Sequence, residues 1–162
     1  MNEAILTELT AWAASGYNGL VLTGMYTSKI DLMLREVFES VAAEGQAGRK
    51  ARKKNAWKNL ALIATGGYGR MEMAPFSDVD IMFLAADREE TATAERVLYK
   101  LWDTGLDISH SFRTPEECTE EAFRDIKTRT SLLESRFICG DPGLFGDFPL
   151  GRAASRDKYG IW

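Results

Sequence analysis

The sequence predicts an α+β (α/β) domain, in which a small sheet is covered by helices and preceded by a helical extension. Two observations carry this prediction. Segments with helical periodicity alternate with short apolar runs along the 162-residue chain, and this alternation is typical of a sheet flanked by helices. The composition, 45% hydrophobic and 27% charged, is that of an ordinary globular domain. Strand direction does not follow from these features.

Residues 1–45 have the pattern of a helical extension. A helix is predicted over residues 2–15, where apolar side chains fall on one face and Gly16 follows as a stop. A longer helix is predicted over 27–44, where apolar residues recur every three or four positions before Gly45. Next comes a basic stretch, interpreted either as a solvated linker or as an electrostatic funnel for an anionic partner. Its cations are Arg49, Lys50, Arg52, Lys53, Lys54 and Lys58.

The main domain is predicted to span residues 55–148. Its strands are short apolar runs, and its helices are amphipathic segments. A helix start is marked by Thr114 as the N-cap and Pro115 at the first helical position. After Phe148 the pattern fades, so residues 149–162 are expected to form an irregular tail. The predicted strands are 60–65, 78–84 and 106–113, and the predicted helices are 89–103, one from Thr114 and one at about 128–138.

Composition argues against several classes of protein. A membrane span needs roughly 18 apolar residues in a row, and no run approaches that length. The amino terminus carries Glu3 and Glu8 instead of the basic segment of a secretory signal. Cys118, Cys139 and the single His give neither a disulfide framework nor zinc-ligand spacing, so a reducing cytoplasm is the expected compartment. The net charge of −4 argues against a nucleic-acid partner.

Two aspartates at the head of the second predicted strand are the main candidates for catalysis. Because side chains alternate along a strand, Asp78 and Asp80 point to the same face, about 7 Å apart, while Val79 and Ile81 point into the core. Carboxylates this close raise each other's pKa unless a cation lies between them. Magnesium binds one or two carboxylates together with waters and substrate phosphates, so the pair predicts a Mg²⁺ site. Ions held there would bridge an attacking hydroxyl and the α-phosphate of a nucleotide.

A glycine pair directly after the first predicted strand is the second candidate feature. Gly66 and Gly67 lack Cβ atoms, so phosphate oxygens can approach their backbone closely. If a helix begins directly after the pair, its free N–H groups face the β- and γ-phosphates. Arg70 is expected either to contact phosphate or to pair with Glu72. Ser77 either donates to phosphate or merely starts the strand.

These residues resemble the signature of the nucleotidyltransferase superfamily typified by DNA polymerase beta, an apolar-Gly-[Gly/Ser] turn followed by Asp-apolar-[Asp/Glu]-apolar. Within that superfamily they are similar to the protein-PII uridylyltransferases, the bifunctional uridylyltransferase/uridylyl-removing enzymes of nitrogen regulation. Segment 66–80 matches that family's Gly-Gly-Tyr-Gly-Arg-x-Glu-Leu-x-Pro-x-Ser-Asp-apolar-Asp, with Met73 in place of Leu. Segments 101–114 and 129–141 match two further motifs of the family, so the resemblance covers about 55–148.

The resemblance implies a polymerase-beta-like nucleotidyltransferase fold, with a small mixed sheet flanked by helices. It implies transfer of UMP from UTP, with Mg²⁺, onto a tyrosine hydroxyl of the small regulatory protein PII. By the same resemblance Asp78 and Asp80 would be the metal ligands, and Gly66 and Gly67 the nucleotide-turn residues. The family's uridylyl-removing and glutamine-sensing domains have no counterpart in this sequence, so the tail is expected to be truncated relative to the family and those activities are not expected.

Several alternatives stay open at this level. Superfamily members commonly have a third carboxylate on a neighbouring strand, and the corresponding place here is near His110, with Asp107 on the opposite face of that strand. His110 is either a structural hydrogen-bonding residue or an additional site residue that orients phosphate. The same fold would also serve adenylyl transfer or another acceptor. A nucleotide-binding remnant without turnover is the third alternative.

Overall fold

A computed structural model describes residues 2–46 and 59–147 of the chain. The basic stretch at 49–58 and the predicted tail at 149–162 lie outside the described residues. In the described ranges, no helix is both long enough and apolar enough to cross a membrane. The elements are α1 (Asn2–Ala14), α2 (Gly19–Gln46), β1 (Leu60–Ala64), α3 (Gly66–Gly69), β2 (Val79–Ala85), a 3₁₀ turn (Arg88–Glu90), α4 (Thr91–Trp102), β3 (Ile108–Arg113), α5 (Pro115–Arg124), α6 (Ile126–Leu133), β4 (Arg136–Gly140) and α7 (Pro142–Asp147).

Local sequence signals explain where several helices begin. Helix α2 starts earlier than predicted because the Asn18 side chain accepts a hydrogen bond from the Val21 N–H at 3.0 Å, which caps the first turn. Helix α5 begins at the predicted N-cap, where Thr114 and Glu117 bond each other's backbone N–H groups as a capping box. These short-range contacts need no tertiary structure, so spacing in the sequence could reveal them.

The prediction of a helix at about 128–138 is wrong in its second half. Helix α6 ends at Leu133, and strand β4 follows over Arg136–Gly140. Strand β4 pairs antiparallel with β1, and a bulge shifts the register between Leu62 and Ile63. A short apolar run is ambiguous between helix and strand, and the unpaired edge of β1 decides in favour of the strand.

The four strands form one mixed sheet in the order β3-β2-β1-β4. Strand β1 is antiparallel to both β2 and β4, whereas β2 and β3 are parallel. The parallel pair needs a crossover, and α4 supplies it between β2 and β3. The sheet and its seven α-helices in the described ranges confirm the predicted α+β class and the small mixed sheet.

Helices cover both faces of the sheet, and the predicted helical extension is part of one of these layers. Buried side chains of α1, α2 and α4 share one apolar core with β1 and β2, including Leu34, Val97 and Phe83. Helices α5, α6 and α7 cover the opposite face through a smaller cluster that includes Leu132 and Met82. Strand β2 is therefore buried on both faces along most of its length.

A buried ion pair connects the long helix to the sheet. The Arg136 guanidinium donates to both carboxylate oxygens of Asp31, at 2.7 and 3.0 Å, and the Tyr68 hydroxyl donates to the same carboxylate at 2.7 Å. Burial and the Asp31 charge together raise the pKa of Tyr68 well above its ordinary value, so this hydroxyl stays a donor. Helix α2, the glycine turn and β4 are thus joined at one point inside the protein.

Asp31→Asn is expected to lower the free energy of unfolding by about 3–5 kcal/mol, because it leaves the Arg136 charge buried without its ionic partner. Glu8→Gln is the matched control, since Glu8 forms an exposed ion pair with Lys29 at 2.8 Å and such pairs contribute about 0–1 kcal/mol. Urea unfolding measures both variants. Comparable losses in the two would mean that the buried pair contributes no more than the surface pair.

Candidate active site

The glycine turn places its backbone directly against the second aspartate. Strand β1 ends at Ala64, and Gly66 adopts a left-handed φ of 56° at the start of the single-turn helix α3. A Cβ atom built on Gly66 would lie 3.0 Å from Asp80 Oδ2. The Thr65 N–H also donates to the Asp80 carbonyl at 3.0 Å. Only glycine tolerates both this φ and this contact, so the turn and the acid are brought together as the sequence predicts.

A third glycine fixes the other side of the turn. A Cβ atom on Gly69 would lie 2.2 Å from the Glu134 carbonyl oxygen and 3.1 Å from that of Ala64. Any side chain there would push α3 away from the end of α6. The glycine at this position therefore permits a close backbone approach, independently of any ligand.

The two aspartates stand in different environments. Asp78 precedes β2 and is exposed, whereas Asp80 is half-buried within the strand. Val79 and Ile81 point into the core as predicted, so Asp80 shares the opposite face with Met82. Burial, together with the nearby charge of Asp78, raises the pKa of Asp80, and a hydrogen bond with Ser109 opposes that rise.

The donor set fits magnesium only when a substrate completes it. Within residues 2–46 and 59–147, no group of three or more His, Cys, Asp or Glu side chains is positioned to hold a metal ion. Two carboxylates are what Mg²⁺ takes when waters and substrate phosphates supply the remaining oxygens. A divalent cation would also relieve the unfavourable burial of the Asp80 charge. Asp78 and Asp80 therefore fit an ion that is shared with a phosphate ligand.

Arg70 takes the carboxylate pairing that was one of its two predicted roles. Its guanidinium donates to Glu72 at 2.7 Å and to Glu134 at 2.6 Å. The Nη2 atom lies next to the glycine turn, 3.8 Å from a Cβ built on Gly67. Arg70 thus ties the turn to α6 across a partly exposed surface, and phosphate contact stays a prediction for it.

Ser77 closes the loop that leads into β2. Its hydroxyl donates to the Ala74 carbonyl at 2.8 Å, which is a local turn contact. The preceding residue, Phe76, is exposed and has a left-handed φ of 68°. A non-glycine residue held in this region is strained. The strain lies two residues before Asp78, in the segment that positions the acidic pair.

His110 lies away from the aspartates. In the parallel β2–β3 register it is opposite Ile81, while Ser109 is opposite Asp80. Its ring packs edge-on against Trp102 with centroids 5.9 Å apart, on the face that α4 covers. The structure therefore does not bring His110 to the acidic pair, and its hydrogen-bonding role stays a prediction.

Sequence reasoning missed three residues that complete the site: Thr65, Ser109 and Glu134. Thr65 was noted only as the end of a strand, although its N–H bonds the Asp80 backbone. Ser109 lies in the second family motif, but its position beside Asp80 depends on a parallel pairing that the sequence could not reveal. Glu134 belongs to the third motif, two residues before Arg136. That place in the motif was the sequence feature that could have identified it as a site residue.

Three curated relatives of this chain carry the same name. The chain is 38% identical over 140 residues to a bifunctional uridylyltransferase/uridylyl-removing enzyme of Nitrosospira multiformis. The matched segment covers 81% of this chain and 14% of that enzyme. For the enzyme of the same name from Burkholderia orbicola, the identity is 50% over 92 residues, covering 55% and 11%. For that from Erythrobacter litoralis it is 37% over 132 residues, covering 80% and 14%. No protein-family model matches the chain.

These matches confirm the resemblance drawn from the motifs. The chain is a relative of the bifunctional uridylyltransferase/uridylyl-removing enzymes, at 37–50% identity over 55–81% of its own length. It spans only 11–14% of the length of those enzymes. The relationship supports the prediction that the chain is a nucleotidyltransferase. Because the matched part of each relative is so small, the activities of the whole enzymes do not follow for this chain from these matches.

Gly66→Ala is expected to destabilise the protein, whereas Gly67→Ala should leave its stability nearly unchanged. A left-handed conformation costs a non-glycine residue about 1–2 kcal/mol, and the new Cβ on Gly66 would lie 3.0 Å from Asp80 Oδ2. At Gly67 the nearest atom to a new Cβ is Arg70 Nη2 at 3.8 Å, an ordinary contact. Urea unfolding and nucleotide titration measure both variants. Undiminished nucleotide affinity in Gly67→Ala would contradict its predicted place in the nucleotide turn.

Asp80→Asn is expected to raise the melting temperature of the metal-free protein at neutral pH. Because the folded-state pKa of Asp80 is raised, the ionised side chain lowers stability above that pKa, and the loss disappears below the unfolded value of about 4. The gap between variant and wild type should thus close as the pH falls from about 7 to about 3. Asp103→Asn, at an exposed aspartate outside the pair, is the control. A gap that is the same at all pH values, or that the control shares, would contradict this account.

Proposed function

We propose that this chain binds UTP together with Mg²⁺ and transfers UMP to a tyrosine hydroxyl of a PII-type signalling protein. The coarser part, a nucleotidyltransferase, rests on the relatives named uridylyltransferase/uridylyl-removing enzyme. The nucleotide, the metal and the acceptor are proposals for this chain, because it spans only a small part of those enzymes.

One observation carries the proposal: the glycine turn lies against Asp80, the second residue of the acidic pair. The backbone of Gly66 lies so close to Asp80 that a Cβ would stand 3.0 Å from the carboxylate oxygen Oδ2. A phosphate held by an ion at the carboxylates would therefore also lie beside the turn. Such an arrangement positions a phosphorus atom between fixed groups, and positioning with charge neutralisation is most of what phosphoryl transfer needs.

In the proposed reaction the phenolic hydroxyl of the acceptor loses its proton to solvent, and its oxygen forms a bond to the α-phosphorus of UTP. The bond from that phosphorus to the bridging oxygen of the β-phosphate breaks, and pyrophosphate leaves with its electron pair. Asp78 and Asp80 would hold Mg²⁺, which when bound neutralises charge on the phosphates and polarises the attacking hydroxyl. Ser109 lies opposite Asp80 in the β2–β3 register and lowers its pKa, so it would help to keep that carboxylate oriented.

The rigid surroundings of the turn support its proposed role beside the phosphates, while Asp78 and Asp80 hold Mg²⁺. Gly69 packs against the Glu134 carbonyl, and the Arg70 guanidinium bridges Glu72 and Glu134. Below them Tyr68 is fixed by Asp31. A turn held by packing and hydrogen bonds at Tyr68, Gly69 and Arg70 needs little reorganisation when the nucleotide arrives.

Asp78→Asn and Asp80→Asn are each expected to lower the rate of UMP transfer by at least about 100-fold, since even residues behind a metal ligand cost about 10- to 100-fold when mutated. Transfer from UTP labelled at the α-phosphate onto a PII protein measures this, with a Tyr→Phe acceptor as the blank. Asp103→Asn again controls for loss of one exposed carboxylate. Wild-type transfer rates in both aspartate variants would end the catalytic assignment.

Calorimetric titration with UTP, ATP, CTP and GTP, each with Mg²⁺, separates the remaining alternatives. A preference for UTP supports uridylyl transfer, and a preference for ATP would replace it with adenylyl transfer. Nucleotide binding with no transfer to any acceptor would instead identify a binding remnant.

A further inference from the structure

Helix α2 has a second apolar side besides the one that packs on the sheet. Its core side includes Ile30, Leu34 and Phe38, which are fully buried. On another side, Leu20 is 76% exposed and Leu32 is 59% exposed. A surface helix of a globular domain normally has one apolar stripe, so a second stripe indicates that a further element covers it. We call this second side the outer face, and its residues are Leu20, Val21, Gly24, Met25, Ser28 and Leu32.

The outer face lines a groove with a volume of about 580 Å³. Trp12 of α1 and Met71, which follows the glycine turn, complete the apolar lining. Met71 has a left-handed φ of 66°, a strained conformation for a residue other than glycine. The lining includes one charged residue, Lys29, whose ammonium group pairs with Glu8 at 2.8 Å. Within the described part of the chain, the groove is therefore apolar and its charge is paired.

Gly24 lies in the middle of the outer face, in the interior of α2. Glycine inside a helix is unfavourable compared with alanine, because it loses more conformational freedom on folding. A Cβ atom built on Gly24 would meet nothing within 4 Å, so packing within the described residues does not require a glycine there. The approach of a second helix does, because small residues at a crossing let two backbones come close together.

The outer face is also complementary to itself. Ser28 follows Gly24 by one turn, and its hydroxyl donates to the Gly24 carbonyl at 2.9 Å, so it can be covered without losing a hydrogen bond. Two antiparallel copies of the face would place Gly24 of one against Ser28 of the other. Leu20 would then lie against Leu32, once on each side of the symmetry axis. The residues that recur every four positions are thus large, small, small and large: Leu20, Gly24, Ser28 and Leu32.

We propose that the outer face of α2 binds the same face of a second copy of this chain, with the two helices antiparallel. An isologous contact needs a surface that fits itself, and the order of large and small side chains meets this need. The six residues of the face carry no charge, so two copies can meet without opposing like charges. Rows of residues four apart pack at a crossing angle of about 50°. The inference is independent of the proposed function, because no residue of the face belongs to the acidic pair or the glycine turn.

The extent of the face sets the strength of the contact. The helix from Leu20 to Leu32 is about 20 Å long, and α1 and α2 side by side present a surface about 20 Å wide. Two copies would therefore bury on the order of 1,000 Å² in total, at the low end of specific interfaces, where weak and transient complexes lie. We accordingly expect a reversible dimer that forms at high protein concentration.

Sedimentation velocity of the full chain, from about 5 to about 500 μM, is the test, and the wild type should pass from monomer to dimer over this range. Leu20→Glu and Leu32→Lys should each weaken association at least about tenfold, because each places a charge against a leucine on both sides of the axis. An equimolar mixture of the two variants should recover much of the loss. The mixed dimer pairs the new acid with the new base at one end and keeps leucine against leucine at the other.

Phe123→Glu is the matched control, because Phe123 is 83% exposed on α5, outside the outer face, and its variant should associate like the wild type. Gly24→Ala tests the close approach of the helices. It should raise the melting temperature of the dilute monomer, since alanine favours a helix more than glycine does, and it should weaken the dimer. Because Leu20 and Leu32 are exposed, their variants should keep the fold, which far-UV circular dichroism checks.

Several results would overturn the proposal. One is a wild-type chain that stays monomeric at every concentration. Another is association that Leu20→Glu leaves unchanged, or that mixing it with Leu32→Lys does not recover, since the antiparallel register requires both effects. Equal loss of the dimer in Phe123→Glu would assign the contact to a different surface.

Discussion

The buried contact of Asp31 with Arg136 and Tyr68 is the constraint on which the geometry of the site depends. Ionised groups inside a protein must be paired, and a buried pair of this kind contributes more to fixing one arrangement than to net stability. Its members come from α2, β4 and the glycine turn, and Arg136 also donates to the Tyr68 carbonyl at 3.3 Å. If any of these elements shifted, a charge would be left unpaired in the interior. The turn therefore has one position relative to the sheet.

The position of the turn is transmitted to the acids through short backbone contacts. Gly69 is held against the end of α6, and Gly66 against Asp80. The motifs that carry the family resemblance meet here: Arg70 of the first contacts Glu134 of the third, and Asp80 of the first lies opposite Ser109 of the second in the β2–β3 register. Segments that are far apart in sequence are thus parts of one structural unit, which explains why they occur together.

Much of the fold, and part of the site, could be predicted from the sequence because the signals are local. The capping box at Thr114 and the alternation around Val79 depend on spacing alone. What could not be predicted depends on pairing between distant segments. The parallel register of β2 and β3 decides that Ser109, and not His110, faces Asp80. Strand β4 was mistaken for a helix because its pairing with β1 joins segments that are more than 70 residues apart, as in Ile63 with Phe137.

Strand β2 contributes to the core along most of its length and carries a candidate site residue only near its start. From Ile81 onward every residue is buried, with α4 on one face and α5 to α7 on the other. At Asp80 the cover on one face stops, and a carboxylate stands half-buried where a hydrophobic residue would stabilise the fold more. The strand gives this acid a rigid backbone, and the opening gives it access to a ligand. A residue that is unfavourable for folding at the mouth of an otherwise apolar strand is best explained by what it binds.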